Sequence, residues 1–176
     1  MQGFTQIAPK LINENAVKLI GDDWALVTAG VLPECEQDGK TWNTMTASWG
    51  GLGFLWNEPV AFVFVRPQRF TYEFTEKHET MTLSFFSEEY RKALQFCGIK
   101  SGRDFDKAKE TGLTPIKTQC GCVAFAESSL ILETQKLYTQ MLSQESFLNA
   151  DIIGSHYLKK DFHRMYVCKI TSAWIK

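Results

Sequence analysis

The feature that most constrains this chain is its series of short apolar and β-branched stretches, each cut off by a turn residue. Residues 24–32 form one and end at Pro33. Residues 45–49 alternate, with Met45, Ala47 and Trp49 facing one way and Thr46 and Ser48 the other. Residues 59–66 are nearly all apolar, the pattern of a strand buried on both faces. Residues 80–86, 119–127, 130–138 and 165–174 add four more strand-like segments. Helical signals are few and short. Thr71 is expected to cap a helix over 72–77, Ser87 one over 88–96 that Gly98 stops, and Asp104 one over 105–111 that Gly112 stops. A further helical turn is expected over 144–148. Helices this short cannot supply alternating βαβ crossovers. The chain is therefore expected to be a mainly β, single-domain antiparallel barrel with a few short helices, spanning residues 1–176.

Composition excludes several classes. The 176 residues carry a net charge of -1 with signs interspersed, and 44% of them are apolar. The tightest basic cluster, Lys159, Lys160 and Arg164, has Asp161 inside it, so no stripe for nucleic acid is present. Apolar runs such as 61–65 fall far short of the ~20 residues that span a bilayer. With no leader-like N-terminus, the chain is expected to be soluble and cytoplasmic. Its five cysteines, at 35, 97, 120, 122 and 168, are an odd number and are expected to be thiols. Cys120-Gly121-Cys122 has no second pair to complete a zinc site and is read as buried thiols on a strand. The histidines, His78, His156 and His163, are scattered, so no metal is expected. The 13% of aromatic residues fit a β-rich core.

Three segments carry groups that suit an anion or a polar heterocycle. The first is Asn43, Thr44, Met45, Thr46, Ala47, Ser48 and Trp49, followed by Gly50 and Gly51. Its hydroxyls and backbone N–H groups are donors for phosphate oxygens or ring carbonyls. The second, Arg66-Pro67-Gln68-Arg69-Phe70-Thr71, sets two guanidinium forks beside an expected helix start. The third runs from Cys97 and Gly98 through Ser101 and Gly102 to Lys107, a glycine-containing loop between two helices. Its spacing is not that of a nucleotide-binding P-loop.

In order along the chain stand Asn-Thr-Met-Thr-Ala-Ser-Trp-Gly, Arg-Pro-x-Arg-x-Thr, Leu-Ser-Phe-Phe, Cys-Gly-x-x-Ser-Gly-Arg-Asp-x-Asp-Lys and Phe-His-Arg-Met-Tyr. This set resembles the flavin reductase-like, FMN-binding split-barrel family, in particular its flavoredoxin-like members, from about residue 24 to 174. The resemblance implies a Greek-key split β-barrel, a homodimer, and FMN bound near the interface. It implies that Asn43 to Trp49 line the flavin, that Arg69 and Thr71 hold its phosphate or tail, and that Ser84 and Phe85 lie on the next flavin-lining strand. Cys97, Ser101 and Lys107 match the loop and helix that close over the cofactor. His163 matches the histidine beside the flavin edge. The implied activity is NAD(P)H-dependent flavin reduction, with hydride passing from nicotinamide to flavin N5. In it Lys107 stabilises the reduced flavin, and His163 places the nicotinamide or relays a proton. The alternatives are an electron carrier reduced by a protein partner, and a non-redox module on the same barrel. Residues 135–160 exceed the shortest relatives as an insert. They make His156 a competitor of His163 and are expected to cover the site or extend a dimer contact.

Overall fold

In a computed structural model, which describes residues 1–34 and 39–176, ten strands can be followed: β1 (Thr5–Ile7), β2 (Ala25–Gly30), β3 (Trp42–Ala47), β4 (Gly50–Leu55), β5 (Glu58–Val65), β6 (Thr80–Phe85), β7 (Pro115–Lys117), β8 (Val123–Phe125), β9 (Leu130–Met141) and β10 (Arg164–Ile175). Five helices accompany them: α1 (Ala16–Lys18), α2 (Phe70–Lys77), α3 (Arg91–Ile99), α4 (Lys107–Thr111) and α5 (Ala150–His156). The main sheet runs β3-β2-β6-β9-β10-β5-β4, with β1 also on β10, and its ladders are antiparallel. β7 and β8 form a separate hairpin.

The connectivity forces curvature. β3 and β4 stand at opposite ends of the sheet, yet only Ser48 and Trp49 separate them. Three residue steps span at most about 11 Å. The two ends of the sheet therefore meet at this corner, although no ladder joins β3 to β4 among the described residues. A sheet curled until its edges touch without bonding is a split barrel, as expected. Two register shifts in β10 against β9, at Val167/Cys168 and Ile170/Ser172, supply local twist for the curl.

The alternation sorts residues to two cores. Val27, Met45, Val63, Leu83, Phe85 and Tyr166 pack inside the barrel. Leu26, Leu94, Cys97, Ala108 and Phe125 form a second cluster, where α3, α4 and β8 cover the outer face of β2. Each such side chain contributes roughly 1.5–3 kcal/mol by leaving water. The outer cluster fixes α3 and α4 against β3, which sets up the site.

Several boundaries differ from expectation. β4 was not legible, because Gly50, Gly51 and Gly53 dilute any strand signal. The Thr71 hydroxyl caps nothing. Arg69 occupies the N-cap position of α2, and buried Thr71 instead accepts from Asn43. Gly98 does not stop α3, which runs on to Ile99. Asp106, not Asp104, caps α4, its carboxylate accepting from the Lys109 amide; Gly112 does end that helix, in the left-handed region. The expected strand over 119–127 shrinks to β8, because the chain turns at 118–121 to pair β7. Cys122 is buried but Cys120 is exposed, so the pair is not two buried thiols. Cys35 lies outside the described residues. The insert holds the end of β9 and α5, and α5 had no signal beyond the cap Asn149.

Candidate functional site

The corner between β3 and β4 opens a cleft of about 280 Å³. Met45 to Trp49 form one wall, Phe64 and Arg66 of the β5 end another, and Arg69, Gly98 and His163 complete it. A glycine is required where the wall turns. Gly50 sits at φ 154, and a Cβ there would lie 2.6 Å from the Phe62 carbonyl oxygen.

Arg69 links this cleft to a recess of about 180 Å³ lined by Thr71, Lys100, Ser101, Gly102 and Lys107. The recess lies at the N-terminus of α2, where unpaired N–H groups favour negative charge. Among the described residues neither Arg69 nor Lys107 has a carboxylate partner. Arg69 donates to the Gly98 carbonyl at 2.7 Å. Burial, and after it the field of Arg66, lower its pKa. Lys107 is 5% exposed. Its Nζ donates to the carbonyls of Thr44 at 2.7 Å and Cys97 at 2.8 Å. That leaves one of its three donors. Burial, with smaller contributions from the charges of Arg69 and Lys40, brings the ammonium down to about 8. Buried cations without acids leave positive charge that an incoming anion can satisfy.

Lys107 also borders a second recess of about 160 Å³, with Asn43, Thr44, Lys40 and Phe105. Asn43 Nδ2 donates to Thr71 Oγ1 at 2.7 Å, tying β3 to the start of α2. Thr46 is held to α3 by a hydrogen bond to the Leu94 carbonyl.

At the far end of the cleft His163 is 7% exposed. Its ring lies 5.1 Å from that of Trp49 and 6.4 Å from that of Phe64. Arg66 Nε donates to its Nε2 at 3.4 Å, and Tyr157 Oη stands 2.8 Å from its Nδ1. Arginine can only donate. Nε2 is therefore the acceptor, and Nδ1 carries the proton toward the tyrosine. Burial, then the charge of Arg66, lowers the imidazole to about 4, so the ring is neutral near pH 7. Arg66 is oriented by Asp161 at 2.5 Å and by the His156 carbonyl at 2.9 Å, and the His156 ring packs 5.1 Å from Trp49. Both candidate histidines thus reach Trp49, but only His163 lines the cleft.

The flavin reductase-like domain family matches residues 20–176. The chain belongs to that family. Among solved structures it is similar in fold to flavoredoxin of Desulfovibrio vulgaris (19% identity, TM-score 0.65, 87% of this chain and 69% of that one). An FMN-binding protein from Thermus thermophilus, with p-hydroxybenzaldehyde bound, compares similarly (20%, 0.64, 87% and 71%). So does an NADH:FAD oxidoreductase of Streptomyces globisporus in complex with NAD and FAD fragments (15%, 0.61, 86% and 73%). No curated protein matches the chain significantly.

In this flavin reductase-like domain the segments singled out in the sequence converge unevenly. Met45 to Trp49, Arg69 and His163 share the cleft, and Arg69, Thr71, Ser101 and Lys107 share the recess. Lys107 borders the two recesses and His163 the cleft. Ser84 and Phe85 are fully buried and border none of the three spaces. Ser84 Oγ has no hydrogen-bond partner among the described residues. Cys97 reaches Lys107 only through its carbonyl; burial pushes its thiol up to about 11. Arg66 and Tyr157 were missed as site residues. Arg66 stood next to Pro67 in a segment already read as cationic. Tyr157, inside the insert, carried no signal at all.

Proposed function

We propose that this flavin reductase-like domain binds FMN and exchanges electrons between it and a reduced nicotinamide nucleotide. The observation that carries the reading is the cationic, acid-free recess at the α2 N-terminus opening through Arg69 into a larger cleft. Arg69, Thr71, Ser101 and Lys107 would hold a phosphate, and Met45 to Trp49 would line a flat ring system. The fit is chemical: two buried cations lack acids, and β3 offers backbone donors beside them. When bound, FMN would supply the redox chemistry, hydride acceptance from a nicotinamide. The chain's own residues do the rest. Lys107 sets positive charge against β3, and burial strengthens its field. Trp49 and Phe64 give the cleft apolar surfaces against which a flat ring can pack. His163 presents a neutral ring at its mouth; with Nε2 engaged by Arg66, it positions rather than protonates. Tyr157 and His156 place the insert over the site rather than away from it.

We take the second copy in a homodimer to dock on the face bearing Trp56 and Tyr138, two exposed aromatic residues with rings 6.2 Å apart. The test of function is anaerobic mixing of the FMN-loaded protein with NADH and with NADPH, followed by absorbance. Bleaching of the flavin bands within the catalytic timescale supports the reductase. Bleaching by dithionite alone shifts the reading to an electron carrier served by a protein partner.

A further inference from the structure

The Cys120-Gly121-Cys122 segment lies outside the cleft and both recesses. The chain reverses there: the Thr118 amide donates to the Cys122 carbonyl at 2.9 Å, and the Gly121 amide to the Thr118 carbonyl at 3.0 Å. Gly121 holds φ 84 in this turn. Only Gly121 separates the two cysteines, so the reversal keeps their thiols close to each other. Hydroxyls flank them. Thr118 Oγ1 lies 3.3 Å from Cys120 Sγ, and the Cys122 thiol donates to Thr80 Oγ1 at 3.0 Å. Cys120 is exposed and Cys122 is buried behind it. No third metal ligand joins them among the described residues. That arrangement separates an accessible nucleophile from a sheltered partner, as in thiol–disulfide exchange sites.

We infer that Cys120 and Cys122 are a redox-active dithiol that closes reversibly to an intramolecular disulfide. The oxidant is a small-molecule disulfide of the glutathione class. The Cys120 thiolate attacks one sulfur of the reagent, the reagent's S–S bond breaks, and one thiolate leaves. The Cys122 thiol gives its proton to solvent and attacks Cys120 Sγ, and the second reagent thiolate leaves. Both leaving groups take up protons. The two cysteines lose two electrons and two protons, and the reagent gains both. The neighbouring Cys122 thiol favours the Cys120 thiolate, lowering that group to about 7. The contrast within the chain is sharp: burial pushes Cys97 up to about 11 and Cys168 up to about 12, which leaves both inert at neutral pH.

The test is equilibration of the full chain, in a Cys35→Ser background, across a series of reduced-to-oxidised glutathione ratios. The samples are acid-quenched, alkylated and mapped by peptide mass. The expected result is one transition in which the peptide bearing Cys120 and Cys122 loses two hydrogens and both alkylation sites together. Dithiothreitol reverses it, and Cys97 and Cys168 do not change. Cys122→Ser is expected to stop at a glutathione adduct on Cys120. The inference is overturned if both cysteines alkylate at every ratio, or if the Cys122-containing parent also ends as the Cys120 adduct. Neither outcome depends on flavin, so this test is separate from that of the proposed function.

Discussion

Lys107 and His163 are both buried bases whose charge the fold discourages, but they do so to different ends. Lys107 is held by two carbonyls beside an acid-free recess. Its charge serves the proposed phosphate, and in the free protein it is lost as pH rises through about 8. FMN affinity is therefore expected to weaken above pH 8, and Lys107→Met should lower it about tenfold or more and flatten that dependence. Fluorescence titration of FMN from pH 6.5 to 9.5 checks both. His163 works the other way. The unfolded chain takes up a proton near pH 6.5 that the folded imidazole refuses until about pH 4. Its contribution is complete above pH 6.5 and erodes as pH falls toward 4. Between pH 7 and pH 5 the protein should lose about 2 kcal/mol that His163→Gln does not lose, measurable by urea unfolding at the two pH values. Activity, by contrast, should show no step from His163 between pH 5.5 and 8.

At the scale of elements, the corner between β3 and β4 is where sequence and site meet. The strand alternation at 45–49 is plain in the sequence, because one face packs on Met45 and the other on α3. The next strand is not, because the corner needs glycines that erase strand propensity. Gly50→Ala should cost about 2–3 kcal/mol, since its Cβ meets the Phe62 backbone and φ 154 is strained for alanine. Thermal unfolding measures that loss, and a changed Trp49 emission would report the displaced wall. The same logic explains the cap errors. Thr71 and Asp104 are both good cap residues by type, but Thr71 is claimed by Asn43 and the Asp104 role passes to Asp106. Tertiary partners decided both, and local spacing does not encode them. That Arg69, Thr71, Ser101 and Lys107 come together was legible because they lie in two short segments. The Arg66–His163–Tyr157 contacts were not, because Arg66 and His163 stand 97 positions apart and Tyr157 lies in an insert.

For the whole molecule, the curled sheet explains why one barrel can hold both the cationic recess and the wider cleft. The seam between β3 and β4 is left open, and α2 and α3 abut it. No helix among the described residues is long and apolar enough to cross a membrane. The exposed Trp56, 57% accessible, is expected to be covered by a second copy, and Trp56→Glu should shift sedimentation from dimer to monomer. The central claim is that the recess is a phosphate site serving a flavin in the cleft. Parallel titrations of the protein with FMN and with riboflavin, read by quenching of flavin fluorescence, test it most directly. The account predicts that FMN binds and that riboflavin, lacking the phosphate, binds at least about tenfold more weakly, with the gap collapsing in Arg69→Ala. Equal affinities for the two flavins, or no binding of either, would contradict it.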